Sequence, residues 1–252
     1  MKNKNQKTIV LSSSDEKKSF EEFVALFKNS PLPDNEILPN LGLFLTSKNL
    51  ARLLFFYEIY KKISTLHGII AEFGVRWGQT LSLMSALRGI VEPFNRHRKI
   101  VGFDTFEGFK GTVQKDGMLH KCRDGDFCVP AGYEEYLHRV LFLQEQLNPL
   151  AHLKRFELVK GDAVKTVPRY FKQHPETMIS LAIFDFDIYK PTKAALKAIR
   201  PHLTKGSILV FDELCDDIFP GETLALDEVF GLQNVRVQRM PMTARLSYIE
   251  LK

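Results

Sequence analysis

Four carboxylates lie close together in two short segments of the sequence, Asp185-Phe186-Asp187 and Asp212-Glu213. Each segment follows an apolar run typical of a buried strand, so both would lie at one edge of a parallel sheet. Carboxylates at adjacent strand ends repel one another, which raises their pKa values unless a cation lies between them. Oxygen ligands suit Mg²⁺ or a similar hard ion, and a nearby carboxylate can take a proton from a hydroxyl. The alternative is that these residues cap helices and bind no metal.

A second candidate site is the loop after residues 69–73, which has the pattern Glu-x-Gly-x-x-x-Gly. Gly74 and Gly78 allow a tight turn and bring the backbone close to a ligand. Arg76 and Trp77 occupy the positions where a dinucleotide-binding loop needs bare backbone for the pyrophosphate. The loop therefore favours a cofactor without phosphate, S-adenosylmethionine (SAM), although a plain strand-to-helix turn is the alternative. The residues expected to bind the cofactor here are Glu72, Gly74, Val75, Arg76, Gly78 and Thr80.

Two further carboxylates also follow apolar runs. Asp104 could accept both hydroxyls of a ribose, or could serve only the turn that it forms with Thr105. Asp162 could reach an adenine amine, and it could equally be the N-cap of a helix beginning at Val164. We expect Asp104, Thr105, Asp162 and Asp185 to complete the cofactor site.

The elements that would position these residues alternate along the chain. Short apolar runs typical of strands occur at 69–73, 100–103, 156–159, 179–184 and 207–211, and helical patterns at 80–90, 164–171 and 192–202. Such alternation predicts an α/β fold, a doubly wound, Rossmann-like parallel sheet with helices on both faces. Residues 235–238 and 245–251 are predicted to form a closing hairpin.

Regions outside this alternation suggest how the chain is divided. Residues 1–47 are predicted to form an N-terminal arm and helix, and 48–252 the main domain. The stretch 109–148, with a helix at 133–147, is too long for a simple connection and is predicted to be a lid insertion on the ligand side. The apolar N-terminal helices at 20–27 and 50–63 would suit a homodimer contact.

The composition restricts the partners. A net charge of +5 spread over 252 residues does not favour nucleic acid, but it suits an anionic small molecule such as a nucleotide sugar. No run reaches the ~18 apolar residues of a membrane span. Three cysteines without a metal-binding spacing are interpreted as reduced and unliganded, which is typical of a cytoplasmic protein.

Three segments together resemble the macrocin O-methyltransferase family: 72–75 (Glu-Phe-Gly-Val), 102–109 (Gly-Phe-Asp-Thr-Phe-Glu-Gly-Phe) and 185–189 (Asp-Phe-Asp-Ile-Tyr). The resemblance implies a class I SAM-dependent enzyme that methylates sugar hydroxyls on antibiotics or nucleotide sugars. It also implies a seven-stranded sheet with an antiparallel last strand, and a Mg²⁺ site. The implied metal ligands are Asp185, Asp212 and Glu213, with Asp187 as the base.

The chain departs from the family pattern at two positions. Phe186 stands where the family commonly has glycine, and Glu213 stands where it commonly has aspartate, so either residue could weaken or reshape the metal site. Residues 129–133 (Val-Pro-Ala-Gly-Tyr) resemble members that act on nucleotide-linked deoxysugars. We therefore expect a sugar O-methyltransferase. The alternatives are a methyltransferase for another acceptor such as a catechol-type phenol, a SAM-binding protein without catalysis and, against Arg76 and Trp77, an NAD-dependent oxidoreductase.

Overall fold

The computed structural model describes residues 13–117 and 122–252, so the first twelve residues of the predicted N-terminal arm lie outside the described residues. The described chain forms one seven-stranded sheet in the order β3-β2-β1-β4-β5-β7-β6. Its strands are β1 (Ile69–Phe73), β2 (Ile100–Asp104), β3 (Phe156–Lys160), β4 (Ile179–Phe184), β5 (Leu203–Phe211), β6 (Gln238–Arg239) and β7 (Ser247–Glu250). The first five strands are parallel, and β7 is antiparallel to both β5 and β6. The predicted fold class is therefore confirmed.

Helices cover both faces of the sheet, as the buried apolar strands require. They are α1 (Ser14–Lys28), α2 (Asp34–Ile37), α3 (Ser47–Ile63), α4 (Gln79–Val91), α5 (Tyr133–Leu147), α6 (Ala163–Gln173), α7 (Tyr189–Ile199) and α8 (Gly221–Phe230). Helices α3, α4 and α5 pack in one hydrophobic core, whereas α6, α7 and α8 pack in the core on the opposite face. None of the helices in the described ranges is long and apolar enough to cross a membrane.

A row of four phenylalanines crosses the centre of the sheet beneath its carboxyl edge. The rings of Phe103, Phe73, Phe184 and Phe211 stack in that order, with centroid separations of 5.2, 4.9 and 4.8 Å. All four side chains are fully buried, and each stands immediately before a residue of the predicted site. The row therefore fixes the relative heights at which β2, β1, β4 and β5 deliver those residues.

The helix in the insertion between β2 and β3 is attached to the core of the protein. Glu145 of α5 forms a fully buried ion pair with Arg88 of α4, accepts a hydrogen bond from the Ser85 hydroxyl at 3.1 Å and lies 3.8 Å from Arg155. Removing one partner of a buried ion pair commonly costs about 3–5 kcal/mol, so this contact anchors α5 firmly. The helical part of the predicted lid is thus built into the core. Residues 118–121 of the predicted lid lie outside the described residues, and a covering role for 109–132 stays a prediction.

Candidate active site

The glycine loop has the backbone conformation that its sequence predicts. Gly74 has φ +99° and packs so closely on the β4 loop that a Cβ atom would overlap the carbonyl oxygen of Asp185. Gly78 has φ +74°, caps the start of α4, and would overlap the Leu137 side chain if it carried a Cβ. Both positions favour glycine because of their positive φ, and at Gly74 the backbone contact also leaves no space for a Cβ atom. The loop and the β4 loop are therefore held against each other by direct backbone contact.

Asp104 holds the glycine loop in place from the end of β2. Its Oδ2 accepts hydrogen bonds from the Val75 and Arg76 amides at 2.7 and 2.8 Å, and its Oδ1 accepts one from the Phe106 amide at 2.6 Å. An ionised carboxylate offers about four acceptor positions. Three of these positions are used by backbone amides, and the predicted interaction with a ribose stays a prediction. The loop-organising role of Asp104 was not predicted.

Two other predicted cofactor residues have local structural partners. Asp162 is the N-cap of α6 and accepts a hydrogen bond from the Val164 amide at 3.0 Å, which was one of its two predicted roles. The Thr105 hydroxyl donates to the Gly108 carbonyl at 2.7 Å and helps to form the turn after β2. These contacts test neither the adenine nor the ribose interaction.

The two acidic segments meet at the carboxyl ends of β4 and β5. The backbone does not remain extended after β4, because Asp187 has φ +61°, so strand alternation does not determine the direction of its side chain. Burial, reinforced by the charge of Asp212, raises the pKa of Asp185 to about 7. Burial and the charges of Asp185, Glu213 and Asp212 raise the pKa of Asp187 well above its ordinary value. The cluster predicted from the sequence therefore forms.

Arg52 of α3 reaches into this cluster, a role that no sequence pattern predicts. Its guanidinium donates to Asp212 Oδ1 at 2.8 Å, to Asp185 Oδ2 at 3.3 Å and to the Thr80 hydroxyl at 3.1 Å. The guanidinium also lies over the Phe56 ring, 5.2 Å from its centroid. An N-terminal helix thereby supplies a cation to residues that follow three different strands.

A second arginine neutralises the other end of the cluster. Arg245 forms an ion pair with Glu213 and lies 3.6 Å from Asp216. Burial nevertheless raises the pKa of Glu213 to about 8, with further contributions from the charges of Asp212 and Asp216. Asp216 also accepts hydrogen bonds from the Ile218 and Phe219 amides at 2.7 and 3.0 Å.

Glu222 is a further acidic residue that sequence reasoning missed. It lies in the first turn of α8, a helix that was not predicted, and its side chain is fully buried. Its carboxyl accepts the Phe186 and Asp187 amides at 3.2 and 3.4 Å and the Glu213 amide at 3.4 Å. Glu222 therefore links the backbones of the two acidic segments by hydrogen bonds.

Phe186, which stands where the family commonly has glycine, is partly buried. It packs with the hydrophobic core, where its ring centroid lies 6.1 Å from that of Phe73. Among the described residues, no three His, Cys, Asp or Glu side chains are gathered as they stand to hold a metal ion. The donor atoms are nevertheless chemically suitable, because all are carboxylate oxygens and Glu213 Oε2 is buried without a hydrogen-bond partner.

The raised pKa values lead to an expected pH dependence of stability. Asp and Glu in the unfolded chain ionise near pH 4, whereas Asp185 and Glu213 ionise near 7 and 8 in the folded protein. Between these values the folded protein binds more protons, so its free energy of unfolding falls as the pH rises and levels off above about pH 8. We expect urea denaturation without metal to show a loss of several kcal/mol between pH 5 and pH 8.

The control for this experiment is Asp185→Asn, which should show a shallower decline. Groups with lowered pKa values do not mask the effect. Glu228, for example, has its pKa lowered to about 2 by hydrogen bonds from Lys115, Lys193 and Tyr189, and so acts at lower pH. Stability that stays level or rises from pH 5 to pH 8 would contradict the proposed electrostatics.

Two cavities lie at opposite ends of the sheet. One of about 410 Å³ adjoins the ends of β2 and β3 and is lined by Phe106, Glu107, residues 129–134 and Lys160. Another of about 810 Å³ lies at the far end, where β5 begins and β7 ends. The smaller cavity is at the edge of the sheet that carries the acidic cluster. Its walls come from the insertion, at 129–134, and from the chain after β2, at 106–107.

The comparison with known proteins identifies close relatives among solved structures. No protein-family profile matches the chain, and no curated protein compared with it matches. A crystal structure of CalS11, described as a calicheamicin methyltransferase, is 42% identical and superposes with a TM-score of 0.93 over 96% of this chain and 94% of that one. The apo structure of CalS11, described as a TDP-rhamnose 3′-O-methyltransferase of calicheamicin biosynthesis, is 40% identical, with a TM-score of 0.85 and 96% of each chain covered.

A more distant structure, that of the O-methyltransferase NovP, shares 17% identity with a TM-score of 0.60 over 81% of this chain and 80% of that one, and so supports the fold alone. The CalS11 match is different in kind, because it combines high identity with nearly complete coverage of both chains. The sequence resemblance, the seven-stranded sheet and this match agree. The chain belongs to the family of SAM-dependent sugar O-methyltransferases that includes CalS11, which is the macrocin O-methyltransferase family that its sequence resembles.

Proposed function

We propose that this enzyme methylates a hydroxyl of a deoxysugar carried on a nucleoside diphosphate. The proposal is carried by the 40% identity, over 96% of each chain, to the apo structure of CalS11, which is described as a TDP-rhamnose 3′-O-methyltransferase. Residues 129–133, which led to the same expectation from sequence, line the 410 Å³ cavity beside the ends of β2 and β3. A positively charged protein also favours an anionic substrate.

In this proposal SAM lies over the loop from Gly74 to Gly78, at the carboxyl edge where doubly wound sheets bind ligands. Glu72 supports the placement, because its carboxyl is buried and its Oε2 has no hydrogen-bond partner in the described structure. An ammonium group would satisfy that acceptor. The other residues proposed for the cofactor are Val75, Arg76, Thr80, Asp104, Thr105, Asp162 and Asp185.

Asp187 is the proposed catalytic base. A sugar hydroxyl is a weak nucleophile, so its proton must leave as its oxygen attacks the methyl carbon. The proton passes to the Asp187 carboxylate, the new O–C bond forms, and the broken C–S bond leaves its electron pair on sulfur as S-adenosylhomocysteine. The raised pKa of Asp187 makes its ionised form a stronger proton acceptor than an ordinary aspartate.

We further propose that Asp185, Asp212 and Glu213 hold Mg²⁺. Arginine contacts use Asp185 Oδ2, Asp212 Oδ1 and Glu213 Oε1, so each carboxylate has a second oxygen that neither Arg52 nor Arg245 binds. The side chains would have to turn toward one another to share an ion. When bound, Mg²⁺ would lower the pKa of an acceptor hydroxyl near it.

The acceptor class can be tested by offering ¹³C-methyl-labelled SAM with TDP-rhamnose, free rhamnose or catechol, and detecting the methylated product by NMR. We expect transfer to the nucleotide sugar and little transfer to the other two. Transfer to catechol alone would contradict the sugar assignment. SAM binding without transfer to any member of a wider nucleotide-sugar panel would contradict it as well.

We also propose that the protein forms a homodimer through its N-terminal helices and acts in the cytoplasm. Helices α1 and α2 contain no buried residue, and Phe20, Leu26 and Leu43 expose 59%, 61% and 60% of their surface. Such exposed apolar surface favours association. A monomer in sedimentation experiments at micromolar concentration would contradict the dimer. The cytoplasmic assignment is supported by the three cysteines, which are all free.

A further inference from the structure

Two polar atoms near the end of β1 are buried without a hydrogen-bond partner in the described residues. One is Nε of Arg52, a donor, and the other is Oε2 of Glu72, an acceptor. The two side chains are close enough for the charge of Glu72 to raise the pKa of Arg52. An unsatisfied buried polar group costs free energy, so a site with one such donor and one such acceptor is suited to a ligand that carries both functions.

Arg52 has further capacity to bind such a ligand. A guanidinium has five N–H donors, and three contacts, to Asp212, Asp185 and Thr80, account for only part of them. Its side chain is 23% exposed, so a ligand in the cleft can reach it. Because Thr80 is the second residue of α4, this contact places the guanidinium beside the start of the helix that follows the glycine loop.

We propose that Arg52 binds the α-carboxylate of SAM while Glu72 binds its ammonium group. The amino-acid tail of SAM is a zwitterion, and the Arg52–Glu72 pair presents the opposite charges. Two N–H donors of Arg52, on Nε and Nη1, are not used by its three side-chain hydrogen bonds, and a cationic donor forms strong hydrogen bonds to a carboxylate. This inference rests on the proposed placement of SAM over the glycine loop and is independent of the acceptor.

The test compares SAM with decarboxylated SAM, which keeps the sulfonium, the adenosine and a terminal ammonium but has no carboxylate. Calorimetry on the wild-type protein should show SAM binding about 10- to 100-fold more tightly than the decarboxylated analogue. In Arg52→Ala this ratio should fall close to one, because only SAM loses a partner. Arg52→Lys, which keeps a positive charge beside Asp185 and Asp212, should give an intermediate ratio.

Two controls separate this inference from its assumptions. Lys48→Ala removes an exposed cation from the same helix and should leave the ratio unchanged. Glu72→Gln should weaken both ligands, because both carry an ammonium group; if it weakens neither, the placement of SAM is wrong. A wild-type ratio near one overturns the role of Arg52 even if Arg52→Ala fails to fold, and so does a ratio that survives in Arg52→Ala.

Discussion

Replacing Asp187 with asparagine is expected to lower kcat by about 10²- to 10⁴-fold, the usual contribution of a positioned general base. The amide is similar in size to the carboxyl but cannot accept the proton of the acceptor hydroxyl. SAM affinity, measured by calorimetry, should change by less than about threefold, because Asp187 is not among the residues proposed to bind the cofactor. The measurement is steady-state turnover with saturating SAM and nucleotide sugar.

The pH profile provides a second reading of the same residue. Burial and three neighbouring carboxylates raise the pKa of Asp187 well above its ordinary value, so wild-type kcat should increase with pH as the base ionises. Asp217→Asn is a matched control, since Asp217 is exposed and close in sequence to the cluster. Turnover of Asp187→Asn within a few-fold of wild type would show that another group removes the proton.

Chelation of divalent cations with EDTA is expected to lower kcat by about 10²-fold or more, and added Mg²⁺ should restore it. The expectation rests on an excess of acidic over basic side chains in the cluster. Within the described structure only Arg52 and Arg245 form ion pairs with it, whereas its carboxyls are Asp185, Asp187, Asp212, Glu213 and Glu222. A divalent ion would supply the missing positive charge. EDTA presaturated with Mg²⁺ is the control for direct inhibition by the chelator.

A binding measurement can support this result without turnover. Mg²⁺ should raise the melting temperature more at pH 8 than at pH 6, because at the lower pH protons compete with Mg²⁺ for the carboxylates of Asp185 and Glu213. Asp212→Asn should need a higher Mg²⁺ concentration for the same shift. Full activity after chelation, in protein shown to contain no metal, would contradict the proposed magnesium site.

The sequence predicted the sheet well because its central strands are buried on both faces. Such strands are short, nearly continuous apolar runs, and β4 occupies 179–184 as predicted. The functional residues follow these runs directly, so locating a strand also locates its polar end. The start of β5 was missed because its first residues, Leu203 to Gly206, are largely exposed or polar and interrupt the apolar pattern.

The contacts that complete the site could not be predicted, because they join distant parts of the chain. Arg52 is 160 residues from Asp212, and no local pattern distinguishes it from an ordinary helix surface residue. Glu222 is a fully buried acid in a helix whose polar and apolar residues are not clearly segregated. The left-handed backbone of Asp187 is likewise imposed by its surroundings, including the hydrogen bond from its amide to Glu222.

The row of stacked phenylalanines has a practical consequence for altering this enzyme. The four stacked rings, Phe103, Phe73, Phe184 and Phe211, connect β2, β1, β4 and β5. A smaller side chain at one of them would therefore disturb the site residues that follow several of these strands. The described parts of the predicted lid segment, 109–117 and 122–132, contribute none of these four rings. Variants of this segment should therefore include folded proteins with new acceptors, whereas variants of the four phenylalanines should mostly be unfolded.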